Sequence, residues 1–246
     1  MIIKMIIIML VGTIGGIFTT LAGGGSLVVI PALIFLGINP GSANAANRFG
    51  ILVACLTGIY NFKKKGYLNI NIGLILGLPA AVGSIIGSNL VISLPDSIFN
   101  KVLITVMILM VGLISGKSIT EVDSRKIYLS GTRTFFLALI FFIIGIYGGF
   151  IQAGVGIIIM VTLSLLTGYS LVEINSIKVF VIALYLIPSL FVFVKREEIN
   201  WTYNLALFIG NYSGAYLGTF FSFLADSMLI KLFYLIFIFT LIFTTI

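Results

Sequence analysis

Two groups of glycines interrupt long apolar segments of this sequence, and these breaks are its strongest candidates for chemistry inside a lipid layer. Glycine permits an unwound backbone, and a helix that restarts after the break points free N–H groups at the opening. Because a helix N-terminus carries about half a positive charge, such a break can bind an anion without a basic side chain. We predict the first break at Gly23, Gly24, Gly25 and Ser26, and the second at Gln152, Gly154 and Gly156.

The start of the next helix determines which backbone N–H groups can act as hydrogen-bond donors at each break. If the two helix N-termini face each other, they would hold an oxyanion near the middle of the membrane. The alternative is that the glycines only allow close packing of helices. The expected donors are the backbone N–H groups of Ser26, Leu27, Val28, Ile157 and Ile158, with the side-chain amide of Gln152 beside the second break.

The apolar segment after each break adds polar and cationic side chains. Asn44, Asn47 and Arg48 follow the first break, and Asn175 and Lys178 follow the second. A cation at the centre of a membrane costs at least about 2.5–3.5 kcal/mol, so it is usually functional. The alternative is that each side chain extends to the nearby surface. The positive charge agrees with the helix N-termini, and both features predict an anionic substrate.

The composition requires a membrane to position these residues. The chain has 246 residues, of which 60% are hydrophobic and 9% charged, and its mean hydropathy is +1.26. A soluble domain has about 25% charged residues. The chain is therefore predicted to be an all-α polytopic membrane protein in the cell membrane, with the lipid bilayer as its surroundings.

Several classes of function are excluded by the composition. The chain has no histidine and one cysteine, Cys55, so catalytic triads with histidine, histidine-ligated metals and disulfides are excluded. The net charge of +7 is dispersed between apolar runs, whereas proteins that bind nucleic acid cluster theirs on one face. We expect no enzyme activity, no cofactor, no metal and no nucleic-acid partner. The spans also lack acidic residues, which disfavours a cation transporter.

Apolar runs between charged residues predict about eight transmembrane segments. The first and fifth are too long for one crossing, since 32 residues of helix would measure about 48 Å. Each of these two contains one of the glycine breaks. The nominal segments are residues 5–36, 44–62, 70–92, 98–116, 134–167, 174–194, 201–223 and 228–246.

An internal repeat relates the two halves of the chain. A shift of 131 positions superimposes Gly23 and Gly25 on Gly154 and Gly156, and Asn44 on Asn175. The same shift pairs Gly83 with Gly214 and Gly87 with Gly218, glycines that we expect to form a packing seam. The predicted domains are a first transmembrane repeat at 1–116, a charged cytoplasmic linker at 117–133 and a second repeat at 134–246.

The orientation of the repeats depends on the breaks. If each long segment crosses once, the repeats are parallel, and Lys4, residues 63–65, the linker and residues 195–198 share the cytoplasmic side. If each folds back, every half gains a pass and the repeats become inverted, in a 5+5 arrangement. Residues 63–65 would then lie inside and residues 195–198 outside.

Three stretches resemble one known family. They are Gly15-Gly16 followed by residues 22–31 (Ala-Gly-Gly-Gly-Ser-Leu-Val-Val-Ile-Pro), residues 43–48 (Ala-Asn-Ala-Ala-Asn-Arg), and the later Gly83 and Gly87. Together they resemble the TauE/SafE family of sulfite exporters and toluene-sulfonate uptake permeases. The resemblance covers nearly the whole chain. It implies transport of sulfite, sulfonates, thiosulfate or related sulfur oxyanions across a prokaryotic plasma membrane.

Two functions remain open from the sequence. The first is a secondary carrier or facilitator that binds a small inorganic or organic sulfur oxyanion between the repeats. The second is a membrane scaffold or assembly subunit whose glycines only pack helices. The sequence predicts neither the particular anion nor the oligomeric state.

Overall fold

A computed structural model describes residues 2–21, 23–115, 131–195 and 201–223 of the chain, and these ranges are helical apart from short connections. The predicted last segment, 228–246, and residues 117–130 of the linker lie outside them. The nine helices within the described ranges are α1 (Ile2–Leu21), α2 (Ser26–Phe35), α3 (Pro40–Lys64), α4 (Ile70–Ile92), α5 (Asp96–Ser115), α6 (Gly131–Phe150), α7 (Val155–Leu166), α8 (Leu171–Val194) and α9 (Trp201–Ser222).

The outer surface of the helices is apolar, which identifies lipid as the solvent. Helices α1, α4, α6 and α8 are long and apolar enough to cross a membrane. On α4 the exposed side includes Leu78, Val82, Ile86 and Leu90. The side of α4 that faces the protein carries small residues, among them Gly83. The prediction of an all-α polytopic membrane protein is confirmed.

Local sequence signals set the ends of the helices. Pro40 occupies the first turn of α3, and Gly66, with φ of +77°, follows the last turn. Glycine is favoured there because the left-handed conformation costs other residues about 1–2 kcal/mol. Helix α8 begins with a capping box, in which the side chain of Ser170 accepts from the backbone N–H of Glu173 and the Glu173 carboxylate accepts from the Ser170 N–H.

The first glycine break reverses the direction of the chain. A Cβ atom placed on Gly25 would collide with the carbonyl oxygen of Gly15 and the hydroxyl of Thr19, and one on Gly15 would collide with Val29. Residues ten positions apart in an unbroken helix would be about 15 Å apart. Helix α2 therefore folds back along α1, and segment 5–36 is not a single crossing.

Helices α1 and α9, from opposite ends of the chain, pack closely and run parallel. Gly12 contacts the backbone at Leu207, and one turn later Gly16 contacts the backbone at Asn211. Because the contacts advance together along both helices, the helices point in the same direction. The absent side chains of the glycines allow this approach.

Helices α6 and α4 form a matching parallel pair. Gly145 contacts the backbone of Ala80, and one turn later Gly149 contacts that of Ser84. The predicted seam at Gly83 is confirmed, because a Cβ atom there would collide with the backbone of α6. Each half of the chain thus contributes one helix to each seam.

The glycines of α9 form the second seam in the same way. Gly210 and Gly214 lie against the backbone carbonyls of Met9 and Thr13 in α1. The predicted seam at Gly214 is therefore confirmed as well.

The central helices α3 and α8 run antiparallel. Arg48, near the start of α3, contacts Ser189 near the end of α8, whereas Gly58, near the end of α3, lies beside Val179 near the start of α8. Helix α9 packs on α3, and α4 packs on α8. We name α1, α2, α3 and α9 the α3 body, and α4, α6, α7 and α8 the α8 body. Each body combines helices from both halves.

Corresponding helices of the two halves therefore point in opposite directions, as the fold-back alternative predicts. Lys65 lies 5.9 Å from the ring of Phe223 at one end of the bundle, and Lys4 lies 4.9 Å from the ring of Tyr203 at the other. The single-crossing alternative, which placed Lys4 and residues 63–65 on one side, is wrong. The positive-inside rule then predicts that the end with residues 63–65 and Arg133, at the start of α6, faces the cytoplasm.

Cysteine labelling tests this orientation. The single native cysteine, Cys55, is buried, so Cys55→Ala gives a clean background. In intact cells, we expect Lys195→Cys to react with a membrane-impermeant maleimide and Lys64→Cys to react only after the membrane is opened. Both lysines are exposed on the protein, so a difference in labelling reports the side of the membrane and not burial. Labelling of both positions from one side would contradict the arrangement.

Candidate functional site

Arg48 is fully buried and binds the end of helix α6. One terminal nitrogen donates to the carbonyl of Gly148 at 3.1 Å and to the hydroxyl of Ser189 at 2.7 Å. The other donates to the carbonyls of Gly149 at 2.7 Å and Phe150 at 3.3 Å. These carbonyls belong to the last turn of α6, where a helix carries partial negative charge and favours a cation.

Two side chains of the surrounding helices complete this contact. The ring of Phe193 lies 4.2 Å from the Arg48 guanidinium carbon, a cation–π contact. Asn44, one turn before Arg48 on α3, donates to the carbonyl of Phe150 at 3.4 Å. Asn44 and Arg48, which the sequence singled out together, thus act on the same helix end.

Lys178, from the second half of the chain, makes the corresponding contact with the end of α1. It is fully buried, and its ammonium donates to the carbonyl of Thr20 in the last turn of α1 at 3.1 Å and to the side-chain oxygen of Asn175 at 2.7 Å. The sulfur of Met160 lies 3.8 Å away. Arg48 from the first half binds the broken helix of the second half, and Lys178 from the second half binds that of the first.

Because both cations are buried, neither side chain extends to the membrane surface. Arg48 lies roughly 12 Å and Lys178 roughly 10 Å along their helices at 1.5 Å per residue, and neither is exposed. Within the described part of the chain, their hydrogen-bond partners are carbonyls, a hydroxyl, an amide and a thioether, with no carboxylate. Both side chains therefore bring positive charge into the bundle that no carboxylate of the described residues balances.

The two glycine breaks meet each other in the centre of the bundle. A Cβ atom on Gly23 would collide with the backbone of Gly156, and one on Gly156 would collide with that of Gly23. Gly23 and Gly154 both have a positive φ, +79° and +74°. Gly154 is the N-cap of α7, as Gly25 is that of α2. The structure thus brings together the two breaks that the sequence predicted.

The predicted free N–H groups are mostly not free. Four of the five bond to a carbonyl at the start of their own helix, because the first turns of α2 and α7 contain bonds to the third or fourth preceding residue. The helix dipoles remain, but these N–H groups do not point at an opening. The bonds join Leu27 to Gly24 (2.9 Å), Val28 to Gly25 (3.1 Å), Ile157 to Gly154 (2.9 Å) and Ile158 to Gly154 (3.3 Å).

Three buried side-chain amides, those of Asn47, Gln152 and Asn204, lack hydrogen-bond partners among the described residues, and the first two are predicted site residues. Asn47 precedes Arg48 in α3 and is 1% exposed, and neither of its amide atoms is bonded. Gln152, two residues after Phe150, is 2% exposed, also has both amide atoms unbonded, and has a φ of +63°. A buried unpartnered polar group costs about 1–3 kcal/mol, so such groups are typical of sites that a ligand or water satisfies.

The predicted residues form two clusters rather than one. Asn44 and Arg48 bind the end of α6 towards the extracellular end of the bundle, and Asn47 precedes Arg48 in α3. Asn175 and Lys178 lie with the end of α1 towards the cytoplasmic end. The separation follows from the antiparallel arrangement of α3 and α8, in which equivalent positions lie at opposite depths.

The sequence missed three polar residues of these clusters. Ser88 and Ser189 are buried with their hydroxyl oxygens 2.7 Å apart, and Ser88 also donates to the carbonyl of Gly149 at 3.2 Å. The carbonyl of Thr20 accepts from Lys178. The available signals were a serine directly after Pro188 in an apolar run and a threonine pair that ends three residues before Gly23.

A small pocket adjoins the Arg48 cluster from the extracellular end. Its volume is about 30 Å³, enough for a water molecule. Asn44 and Phe193, which both belong to the Arg48 cluster, line it, together with Asp96 at the first residue of α5. The pocket therefore leads from the helix ends to the residues around Arg48.

Comparison with known proteins gives a consistent result. The family described as sulfite exporter TauE/SafE matches residues 8–244. A probable membrane transporter protein of Haemophilus influenzae is 28% identical over 86% of this chain and 82% of its own length. The probable membrane transporter protein ORF9 of a Sinorhizobium species is 23% identical over 89% and 83%. YdhB of Bacillus subtilis, also named a probable membrane transporter protein, is 24% identical over 92% and 94%. No solved structure matches.

Proposed function

Because the chain belongs to the sulfite exporter TauE/SafE family and is a multi-pass membrane transporter, we propose that it carries small sulfur oxyanions such as sulfite, sulfonates or thiosulfate. The proposed path lies between the α3 body and the α8 body. It passes the Arg48 cluster, the crossing of Gly23 and Gly156, and the Lys178 cluster. The proposed contacts also include Gly24, Gly25 and Ser26, all buried beside that crossing.

The observation that carries this proposal is the pair of buried cations without acidic partners in the described part of the chain. Burial of an unpaired charge is expensive, and a passing anion would compensate it. The unbonded amides of Asn47 and Gln152 add donors for the oxygen atoms of such an anion. A scaffold that only packs helices would have no use for these groups.

The fixed cations also bear on the driving force. In many carriers the C-terminal ends of broken helices coordinate a coupling Na⁺. Here the carbonyls at the ends of α6 and α1 already bind Arg48 and Lys178. We therefore propose transport without a coupling cation. A potential of 100 mV, negative inside, favours export of a monovalent anion by about 2.3 kcal/mol, which suffices to drive efflux.

Flux measurements in proteoliposomes at clamped voltage test the proposal. We expect labelled sulfite, thiosulfate or a sulfonate to move faster than in empty liposomes, with a rate that follows the voltage and does not change when K⁺ replaces Na⁺. Sulfate and chloride are the comparison anions. Absence of flux for every sulfur oxyanion would favour the scaffold alternative, and strict dependence on Na⁺ would contradict the uncoupled mechanism.

Replacement of Asn47 separates transport from folding. We expect Asn47→Ala to lower the flux by about tenfold or more with little change in melting temperature, because its side chain has no hydrogen bond to lose among the described residues. Asn89→Ala on the exposed side of α4 is the matched control, and we expect its flux to be unchanged. An equal flux in both variants would remove Asn47 from the site.

A further inference from the structure

The two cation clusters lie on either side of the crossing of the glycine breaks and link the same two bodies. Arg48 belongs to the α3 body, and the carbonyls that it binds at Gly148 and Gly149 belong to the α8 body. Lys178 belongs to the α8 body, and the carbonyl of Thr20 belongs to the α3 body. Each cation therefore holds the two bodies together at one depth, Arg48 near the extracellular end and Lys178 near the cytoplasmic end.

Beyond these clusters, close backbone packing holds the helices of each body together. The glycine seams pack α1 on α9 and α4 on α6 backbone to backbone, without flexible side chains between them. By contrast, the contact between the bodies is made largely by α3 against α8. Relative motion of two such bodies would concentrate at that contact and at the groups that bridge it.

Each cluster also separates the crossing from one end of the bundle. The small pocket lined by Asn44 and Phe193 reaches the Arg48 cluster from the extracellular end and stops there. On the cytoplasmic end, a cleft of about 460 Å³ is lined by Tyr67 and Glu173. The hydroxyl of Ser176, two residues before Lys178, donates to the carbonyl of Tyr67 at 2.8 Å, so this cleft too stops short of the crossing.

We propose that Arg48 is the extracellular gate and Lys178 the cytoplasmic gate of one transport path, and that they open alternately as the α3 body rocks against the α8 body. This inference rests on the proposed function. The structure is the state in which both gates are closed. The repeat places Lys178 on Asn47, the residue before Arg48, so the two gates lie at neighbouring positions of the repeat. They differ in chemistry, since one is a guanidinium with four hydrogen bonds and the other an ammonium.

The gates open through an exchange of hydrogen-bond acceptors. An oxyanion offers oxygen atoms in place of the carbonyls of α6 or α1, so the cation stays bonded while it releases the helix end. When the acceptor is an anion rather than a neutral carbonyl, the attraction between opposite charges adds to the hydrogen bond, which favours the exchange. The released carbonyls must then be met by water from the opened end of the bundle.

Site-directed labelling without any substrate tests the gates. In the Cys55→Ala background, Val91→Cys reports on the extracellular pocket that it lines, and Thr57→Cys reports on the region of α3 next to Gly58, which packs on Thr20 beside Lys178. Both reporter side chains are at most 9% exposed, so they label slowly when the gates are closed. The rate of reaction with a small, charged methanethiosulfonate reagent is measured from each side in proteoliposomes of fixed orientation.

Each gate variant is expected to change one reporter only. Arg48→Gln should raise the labelling rate of Val91→Cys from the extracellular side by about tenfold and leave Thr57→Cys unchanged. Lys178→Gln should do the reverse from the cytoplasmic side. Arg48→Lys, which keeps the charge but has fewer donors, should give an intermediate rate at Val91→Cys.

Two outcomes would contradict the proposal that Arg48 and Lys178 are gates. Labelling rates that do not change in either variant would mean that the cations do not close the path. Equal increases at both reporters would mean general loosening of the bundle, and a lowered melting temperature would accompany them. Since no substrate is present, the result is independent of whether sulfur oxyanions are carried, which the flux measurement decides.

Discussion

Replacement of Arg48 by alanine is expected to lower anion flux at least a hundredfold and to destabilise the protein. The change leaves the carbonyls of Gly148, Gly149 and Phe150 without their partner in a buried position. Each buried group left unsatisfied costs about 1–3 kcal/mol. Loss of only about 2.8 kcal/mol of binding to the anion would account for a hundredfold decrease in rate.

Charge and geometry can be separated at this position. We expect Arg48→Lys to keep measurable flux, because an ammonium still neutralises the end of α6 but cannot reach all of its carbonyls. Arg133→Ala, at the exposed start of the same helix, is the control and should transport normally. Flux and melting temperature are measured for the three variants in one lipid mixture. Normal flux in Arg48→Ala would contradict a role for this cation in transport.

Alanine at Gly23 is expected to abolish transport because the breaks could no longer touch. The added Cβ atom would collide with the backbone of Gly156, which no rotation of a side chain can relieve. Insertion of atoms into a packed interior costs about 1–3 kcal/mol, and a left-handed conformation without glycine costs about 1–2 kcal/mol more. We expect flux to fall at least thirtyfold.

Gly37 provides a matched control for this substitution. Its φ of +77° is close to the +79° of Gly23, but a Cβ atom on Gly37 would have no neighbour within 4 Å. Gly37→Ala therefore introduces the same backbone strain without the collision, and its flux should remain near normal. Flux and thermal stability of the two variants are compared directly. If both lose flux equally, backbone strain explains the effect and contact between the breaks does not.

The sequence predicted the helices and the breaks well because these depend on local properties. A run of apolar residues long enough to cross a membrane must be helical, since lipid offers no partner for the backbone. The predicted segment 70–92 coincides with α4 (Ile70–Ile92). The glycine triplet that starts at Gly23 ends α1 and precedes α2, as its conformational freedom indicated.

The prediction of the site was less complete, because it depended on contacts between distant segments. The positive charges of Arg48 and Lys178 indicated an anionic substrate, but the carbonyl groups that they bind lie a hundred or more residues away in the chain. A carbonyl carries no signature in the sequence. Nor could the sequence show that Leu27 and Val28 use their N–H groups within their own helix.

The sequence by itself therefore determined the solvent, the helical segments, the two breaks and the sign of the charge that the interior would attract. Composition and the spacing of residues along the chain are enough for each of these. The tertiary structure alone decided that α2 folds back, that α3 and α8 run antiparallel, and that the two cations lie at opposite depths. The physical reason is that the direction of a helix depends on what it packs against. A glycine at position 25 is compatible with both a straight crossing and a reversal. The packing of Gly25 against Gly15 and Thr19 decides for the reversal.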